Sequence, residues 1–222
     1  MIVFSLLLLL LAVPTLGQGN VTSLVGTWAS GSQNVITGAG FAQPANESFT
    51  YPPTTGMSYS FTGDGFYEIA RYRMTGNGPS PTCITGVMNW CHGTYQLLAN
   101  GSIIMTPFGD GYQQIQDPCA ATSNFMENYN DTELYTIWTI YQDPVKGYTL
   151  QLYQWDGTPL PPQWQVSASP NMLPTQLLRN VTPPTSNAIV LIANAGERRW
   201  EVASLTGVFT VISGLAVASL LL

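Results

Sequence analysis

Leu134-Tyr135-Thr136-Ile137-Trp138-Thr139-Ile140-Tyr141, then Asp143-Pro144-Val145-Lys146-Gly147, then Tyr148-Thr149-Leu150-Gln151-Leu152-Tyr153 is the stretch that decides the fold. Two short runs rich in β-branched and aromatic residues flank a cluster of turn formers, so the stretch reads as a β-hairpin with a longer loop. Working outward, Gly93 to Ala99 and Ser102 to Pro107 form a second hairpin, joined tightly by Asn100-Gly101. Leu24 to Ala29, Met57 to Thr62 and Gly65 to Met74 read as further strands. In the last of these Glu68, Arg71 and Arg73 interrupt apolar residues without a helical period, which favours strand. No convincing amphipathic helix lies between Gly17 and Arg179.

Many short antiparallel strands with polar turns predict an all-β fold, an antiparallel barrel or sandwich. Gly26-Thr27-Trp28 resembles the Gly-x-Trp opening of lipocalin-type barrels. Such a Trp either floors a ligand calyx or plugs the end of a barrel filled by its own core.

The two ends give the address. Phe4 to Val13 is an apolar run too short to cross a hydrocarbon core of roughly 30 Å and is read as the core of a signal peptide spanning residues 1–17, cut before Gln18. Val202 to Leu222 is 21 residues without a charge. At about 1.5 Å per residue it reaches roughly 31 Å, enough for one transmembrane helix. A glycolipid-attachment signal is the alternative: Asn194-Ala195-Gly196 are small, and Glu197-Arg198-Arg199 form a polar spacer before the apolar tail. Removal of that tail would also relieve the lumenal placement of Arg198 and Arg199, which runs against the positive-inside tendency. Between the ends we expect a lumenal β-domain over residues 18–168 and a Pro/polar linker over 169–201, marked by Pro170, Pro174, Pro183 and Pro184.

Charged residues make up 8% of the chain and the net charge is −6, which excludes a nucleic-acid partner because phosphate binding needs a basic surface. Five Asn-x-Ser/Thr triplets, at Asn20, Asn46, Asn100, Asn130 and Asn180, mark candidate glycosylation sites and agree with a lumenal address; Asn180 is the weakest, with Pro183 directly after its Thr182. Three cysteines, Cys83, Cys91 and Cys119, imply one disulfide and one leftover thiol, and their spacing does not name the pair. With a single His, His92, and no C-x-x-C, neither a metal nor another cofactor is expected.

No catalytic constellation assembles from the residues. Asp64, Glu68, Asp110, Asp117, Asp131 and Glu133 could in principle hold the carboxylate pair of a glycosidase. Their spacings match turns, as in Thr62-Gly63-Asp64-Gly65 and Phe108-Gly109-Asp110-Gly111. A free Cys91 beside His92 would be the one reactive thiol pair, although His92 reads better as entering a strand. The protein is therefore expected not to be an enzyme.

Dispersed phrases carry a family resemblance: Gly26-Thr27-Trp28-Ala29-Ser30, Thr37-Gly38-Ala39-Gly40-Phe41, Ser58-Tyr59-Ser60-Phe61-Thr62, Asn77 to Cys83, His92-Gly93-Thr94-Tyr95, Asp117-Pro118-Cys119, Leu150 to Pro159 and Met172-Leu173-Pro174-Thr175. Over about Leu24 to Thr175 the chain resembles the fungal Rot1 family, the "reversal of Tor lethality" proteins. The resemblance implies a glycosylated, single-pass type I protein of the endoplasmic reticulum membrane, a chaperone for secretory glycoproteins needed for normal cell-wall β-1,6-glucan through its clients. Those clients, nascent or unfolded and including cell-wall synthesis proteins, would be its partners. It favours a retained transmembrane helix over glycolipid attachment and a cell-surface location. It also implies a Cys83–Cys119 disulfide, with Cys91 departing from the family pattern. The competing readings are an enzyme of wall-glucan assembly and a lipocalin-like carrier of a lipid or glycan, with Trp28 under its cavity.

Overall fold

Alternation of apolar and polar residues becomes twelve strands in the computed structural model, which describes residues 23–181. The expected signal peptide and the apolar run Val202 to Leu222 lie outside the described residues. The strands are β1 (Gly26–Ser30), β2 (Ala42–Gln43), β3 (Ser48–Phe49), β4 (Gly56–Phe61), β5 (Phe66–Gly76), β6 (Ile84–Leu97), β7 (Ile103–Pro107), β8 (Tyr112–Gln116), β9 (Asn124–Asn128), β10 (Glu133–Asp143), β11 (Gly147–Gln154) and β12 (Gln163–Ser167). Among the described residues the only helical element is one 3₁₀ turn, Pro44–Asn46.

The deciding hairpin is β10–β11. Asp143 Oδ1 accepts the amides of Val145 and Lys146, and Gly147 turns the chain at φ 83°. The second hairpin, β6–β7, turns at Asn100-Gly101, where Gly101 has φ 85° and Leu98 N–H donates to the Ser102 carbonyl.

Eight strands follow one another round a ring in the order β5-β4-β1-β12-β11-β10-β7-β6, and the β5–β6 pairing closes it. The architecture is thus an antiparallel barrel rather than a sandwich. Its seams are thin where β11 meets β12, over two residue pairs, and where β7 meets β10, over three. Strand β6 serves two structures at once. One edge pairs with β5 over Ile84–Thr94; on the other, Gly93–Leu97 pairs with β7 and completes the ring, while Gly86–Trp90 pairs with β8. Beyond the ring, the far ends of β5 and β6 therefore continue into β8 and β9 as a four-stranded flap.

Side chains alternate across a strand, so β5 and β6 feed two cores. Tyr67 and Ile69 of β5 and Cys91 of β6 point into the ring with Trp28, Tyr59, Phe61, Ile103, Met105, Leu150 and Leu152. Ala70, Met88 and Trp90 point the other way and pack with Val35, Phe41, Phe49 and Tyr112. The lipocalin-like calyx is corrected here: Trp28, Tyr59, Phe61 and Tyr67 are fully buried inside the ring, and the Trp28 indole donates to the Leu24 carbonyl at 2.8 Å. Large rings at successive inward positions fill the small interior that eight strands enclose. Cavities of about 490 and 250 Å³ open instead on outer surfaces, lined by Met74, Ile84 and Gly86 in one case and by Ile36, Tyr51 and Pro52 in the other.

The segment expected as a linker from residue 169 is seated on the body over its described part, as far as residue 181. Asn171 donates its amide to Thr27 Oγ1 at 2.7 Å and its Nδ2 to the Thr37 carbonyl at 2.8 Å, while Leu173 and Leu178 pack on the second core. A segment without regular structure can dock in this way when side chains satisfy its backbone groups.

Candidate functional site

Glu68 and Arg71 stand three residues apart on β5, and strand alternation therefore sends them to opposite faces. Arg71 turns into the ring and forms a two-pronged contact with Glu133 of β10, Nη1 to Oε1 at 2.7 Å and Nη2 to Oε2 at 2.5 Å. Around this pair, Arg71 also donates to the Tyr59 and Tyr135 hydroxyls, and the Tyr129 and Tyr135 hydroxyls donate to Glu133. Burial opposes the charge on Glu133, but the guanidinium and the hydroxyl hydrogen bonds outweigh it and hold the carboxyl below its usual range.

Glu68 faces the second core and is fully buried. Its two oxygens accept the amides of Gly38 and Leu173, each at 2.5 Å, tying the loop after β1 to the docked segment 169–181, a strap over the second core. Burial pushes its carboxyl up in spite of those two bonds. On the same side, His92 Nε2 lies 2.9 Å from Asp110 Oδ1, both side chains fully buried, and Asp110 Oδ2 accepts the Leu178 amide at 2.7 Å. Burial works against ionised Asp110, yet the hydrogen bonds from His92 and Leu178 hold its carboxyl low. Arg179 completes the strap's attachment with bonds to the Asp110 and Gly111 carbonyls and an ion pair with Glu47.

These placements settle the acidic candidates one by one. Asp64 sits in the β4–β5 turn, where Gly65 has φ 92°, and Asp117 Oδ1 accepts the Cys119 amide, so turn chemistry accounts for both. Glu68 lies on β5 as its strand reading expects and Asp110 lies in the β7–β8 turn, but turn chemistry does not account for either, because both are buried anchors for the strap. The spacing rule missed them because their partners, Leu173 and Leu178, lie more than 60 residues away in the chain. Glu68 and Glu133 face different cores, which removes them as a carboxylate pair flanking one bond. Asp131 lies in the loop before β10, with burial and the nearby Glu133 and Glu127 raising its carboxyl.

Cys83 and Cys119 are disulfide-bonded, with Cα atoms 5.6 Å apart, the pair that the resemblance implied. Cys91 is free and buried, and burial pushes its thiol up to about 12, so it is not a thiolate. It faces Tyr67 inside the ring while its neighbour His92 faces outward, which separates the reactive pair considered above. Asn46, Asn100, Asn130 and Asn180 are all exposed, and Asn20 lies outside the described residues.

What the surface offers instead is apolar area. Among the described residues, thirteen large apolar side chains are more than a third exposed, and nine of them fall in two places. One is the β10–β11 hairpin, with Leu134, Ile137 and Tyr141 on its outer face, Val145 in its loop, and Tyr148 on the opposite face at the end of the ring. The other is the flap, with Met74, Ile84 and Phe125, and Tyr51 beside it. Strand periodicity alone did not single out Ile137. The register shift between Tyr135 and Ile137 reverses which face is outward, leaving Tyr135 buried and Ile137 55% exposed.

Comparisons with known proteins agree over most of the chain. Residues 24–206 match the profile of a family described as "Rot1: Chaperone for protein-folding within the ER, fungal". The chain is 43% identical to protein rot1 of Botryotinia fuckeliana over 185 residues, 82% of this chain and 68% of that one. It is 44% identical to protein ROT1 of Candida glabrata over 78% of this chain and 67% of that one, and 42% identical to protein rot1 of Schizosaccharomyces pombe over 70% and 68%. No solved structure matches. With the family profile spanning both cores, the disulfide and the strap, the chain belongs to the Rot1 family of fungal endoplasmic reticulum chaperones.

Proposed function

We propose that this protein is a membrane-anchored folding factor of the endoplasmic reticulum lumen that holds unfolded secretory glycoproteins through its exposed apolar side chains, without nucleotide or cofactor. The observation that carries the reading is a barrel whose β10–β11 hairpin displays Ile137, Tyr141, Val145 and Tyr148 in a chain with only 8% charged residues. Exposed apolar patches beyond a few hundred Å² mark interaction surfaces. The family description supports the same activity. In this reading the signal peptide 1–17 is removed, Val202 to Leu222 remains as a single type I transmembrane helix, and Asn20, Asn46, Asn100, Asn130 and Asn180 carry sugars. The contribution to cell-wall β-1,6-glucan is indirect, through clients that build the wall.

The test uses the full-length protein in nanodiscs, added to a chemically reduced secretory protein whose aggregation is followed by light scattering. Suppression near equimolar ratio is the expected result, weakened in a variant carrying Ile137→Ser with Tyr141→Ser. Unchanged aggregation at every ratio overturns the proposal.

A further inference from the structure

The flap ends in a strand, β9, that has one free edge among the described residues. β9 pairs with β8 on one edge, from Tyr112↔Asn128 to Gln116↔Asn124, and no strand among the described residues pairs with the other. The ladder's phase identifies the outward groups. Tyr129 N–H donates to the Gly111 carbonyl and Asp117 N–H to the Ser123 carbonyl, so hydrogen-bonded pairs fall at every second position, including Glu127 with Gln113 and Phe125 with Ile115. Asn124, Met126 and Asn128 therefore aim their N–H and C=O groups away from β8, and these groups have no backbone partner among the described residues.

Edge strands are normally blunted by Lys, Pro, bulges or a covering segment. β9 has one charge, Glu127, and no Pro, Lys or bulge. Apolar surface flanks it on both faces. On one, Phe125 is 37% exposed. On the other, the cross-strand row Met74–Gly86–Gln116–Asn124 forms the cavity of about 490 Å³, with Ile84 and Pro118 at its sides and no charged residue in its lining. Gly86 makes the dip, since a Cβ there would meet nothing closer than Gln116 Oε1 at 3.8 Å.

The geometry points to β9 as a site that takes an extended, uncharged, apolar segment of an unfolded polypeptide as an added strand. Main-chain hydrogen bonds to Asn124, Met126 and Asn128 supply affinity that does not depend on the segment's sequence. Side chains of alternate residues lie beside Phe125 on one face and extend the uncharged groove on the other. Main-chain recognition suits a protein that must accept many clients. The ring need not open, because the flap projects from it and Cys83–Cys119 tethers the start of β6 to the β8–β9 turn.

This inference rests on the folding-factor reading and is tested separately from it. The probe is a short fluorescein-labelled peptide of alternating valine and threonine, titrated by anisotropy into the full-length protein in nanodiscs. The same peptide N-methylated at alternate amides serves as control. Asn124→Pro removes one outward N–H while leaving the β8 ladder intact. The expected result is that N-methylation and Asn124→Pro each weaken binding by about tenfold or more, with an unchanged melting temperature for the variant. Equal binding of the two peptides overturns the inference, since apolar contact alone is indifferent to amide methylation. So does dimerisation that Asn124→Pro abolishes, because a second copy would then be the occupant. If the wild-type protein suppresses aggregation but shows either result, only the docking mode fails; if it suppresses nothing, the folding-factor reading fails first.

Discussion

Arg71 and Glu133 illustrate how an ion pair inside an aromatic barrel makes stability one-sided. Removing one partner leaves the other buried and uncompensated, which costs about 3–5 kcal/mol in comparable sites. Glu133→Gln is therefore expected to lower stability by that order in urea unfolding. The pH dependence follows from the direction of the shift. Because Glu133 and Asp110 have carboxyls held below their unfolded values, the unfolded chain binds protons that the folded chain refuses as pH falls. Their contribution is complete above the ordinary carboxylate range and is lost as pH drops from that range down through their lower folded values. Glu68 has the opposite sign: its raised carboxyl favours the folded state below its unfolded value, and that contribution declines as pH rises toward its folded one. Melting temperature measured against pH should fall on the acid side, and Glu133→Gln, besides melting lower throughout, should show a shallower fall. An equally steep acid limb in the variant would contradict this assignment. The residue types were visible in the sequence, but their partners were not, since Arg71 and Glu133 meet only because the ring brings β5 and β10 within reach.

At the scale of elements, the two hairpins β6–β7 and β10–β11 were legible because their turn residues are local: Asn100-Gly101 and Gly147 each supply the positive φ that the turn needs. β8 and β9 were not. Tyr112-Gln113-Gln114-Ile115-Gln116 and Asn124-Phe125-Met126-Glu127-Asn128 have little apolar contrast, and they exist as strands because β6 runs on past the ring and offers them an edge. The disulfide adds a covalent tether to that pairing. Cys83→Ser with Cys119→Ser opens a bridge of sequence separation 36, worth about 3–4 kcal/mol in the chain-entropy picture. Hydrogen exchange should then speed up in β8 and β9 while amides of β1, β4 and β11 stay protected. Uniform loss of protection would mean that flap and ring do not open separately.

Across the described residues, contacts between segments far apart in the chain fix the strap to the body. Glu68 and Asp110 each accept an amide of the strap, and Arg179 bonds carbonyls beside β8. A full-length chain carrying Leu173→Pro and Leu178→Pro, which deletes both donated amides, should melt lower by several degrees and expose Trp90 and Tyr112 to fluorescence quenching. An unchanged melting profile would show that the strap is a passive passenger. By itself the sequence determined the all-β class, the strand-and-turn grammar and, through dispersed phrases, the family. Each of these is written in local patterns of alternation and turn chemistry. Only the tertiary structure decided that the ring encloses its own aromatics, that residues 169–181 are strapped to the body, and that β9 has an open edge among the described residues. Those outcomes depend on which faces and ends meet across 60 or more residues, and short-range periodicity carries no information about that.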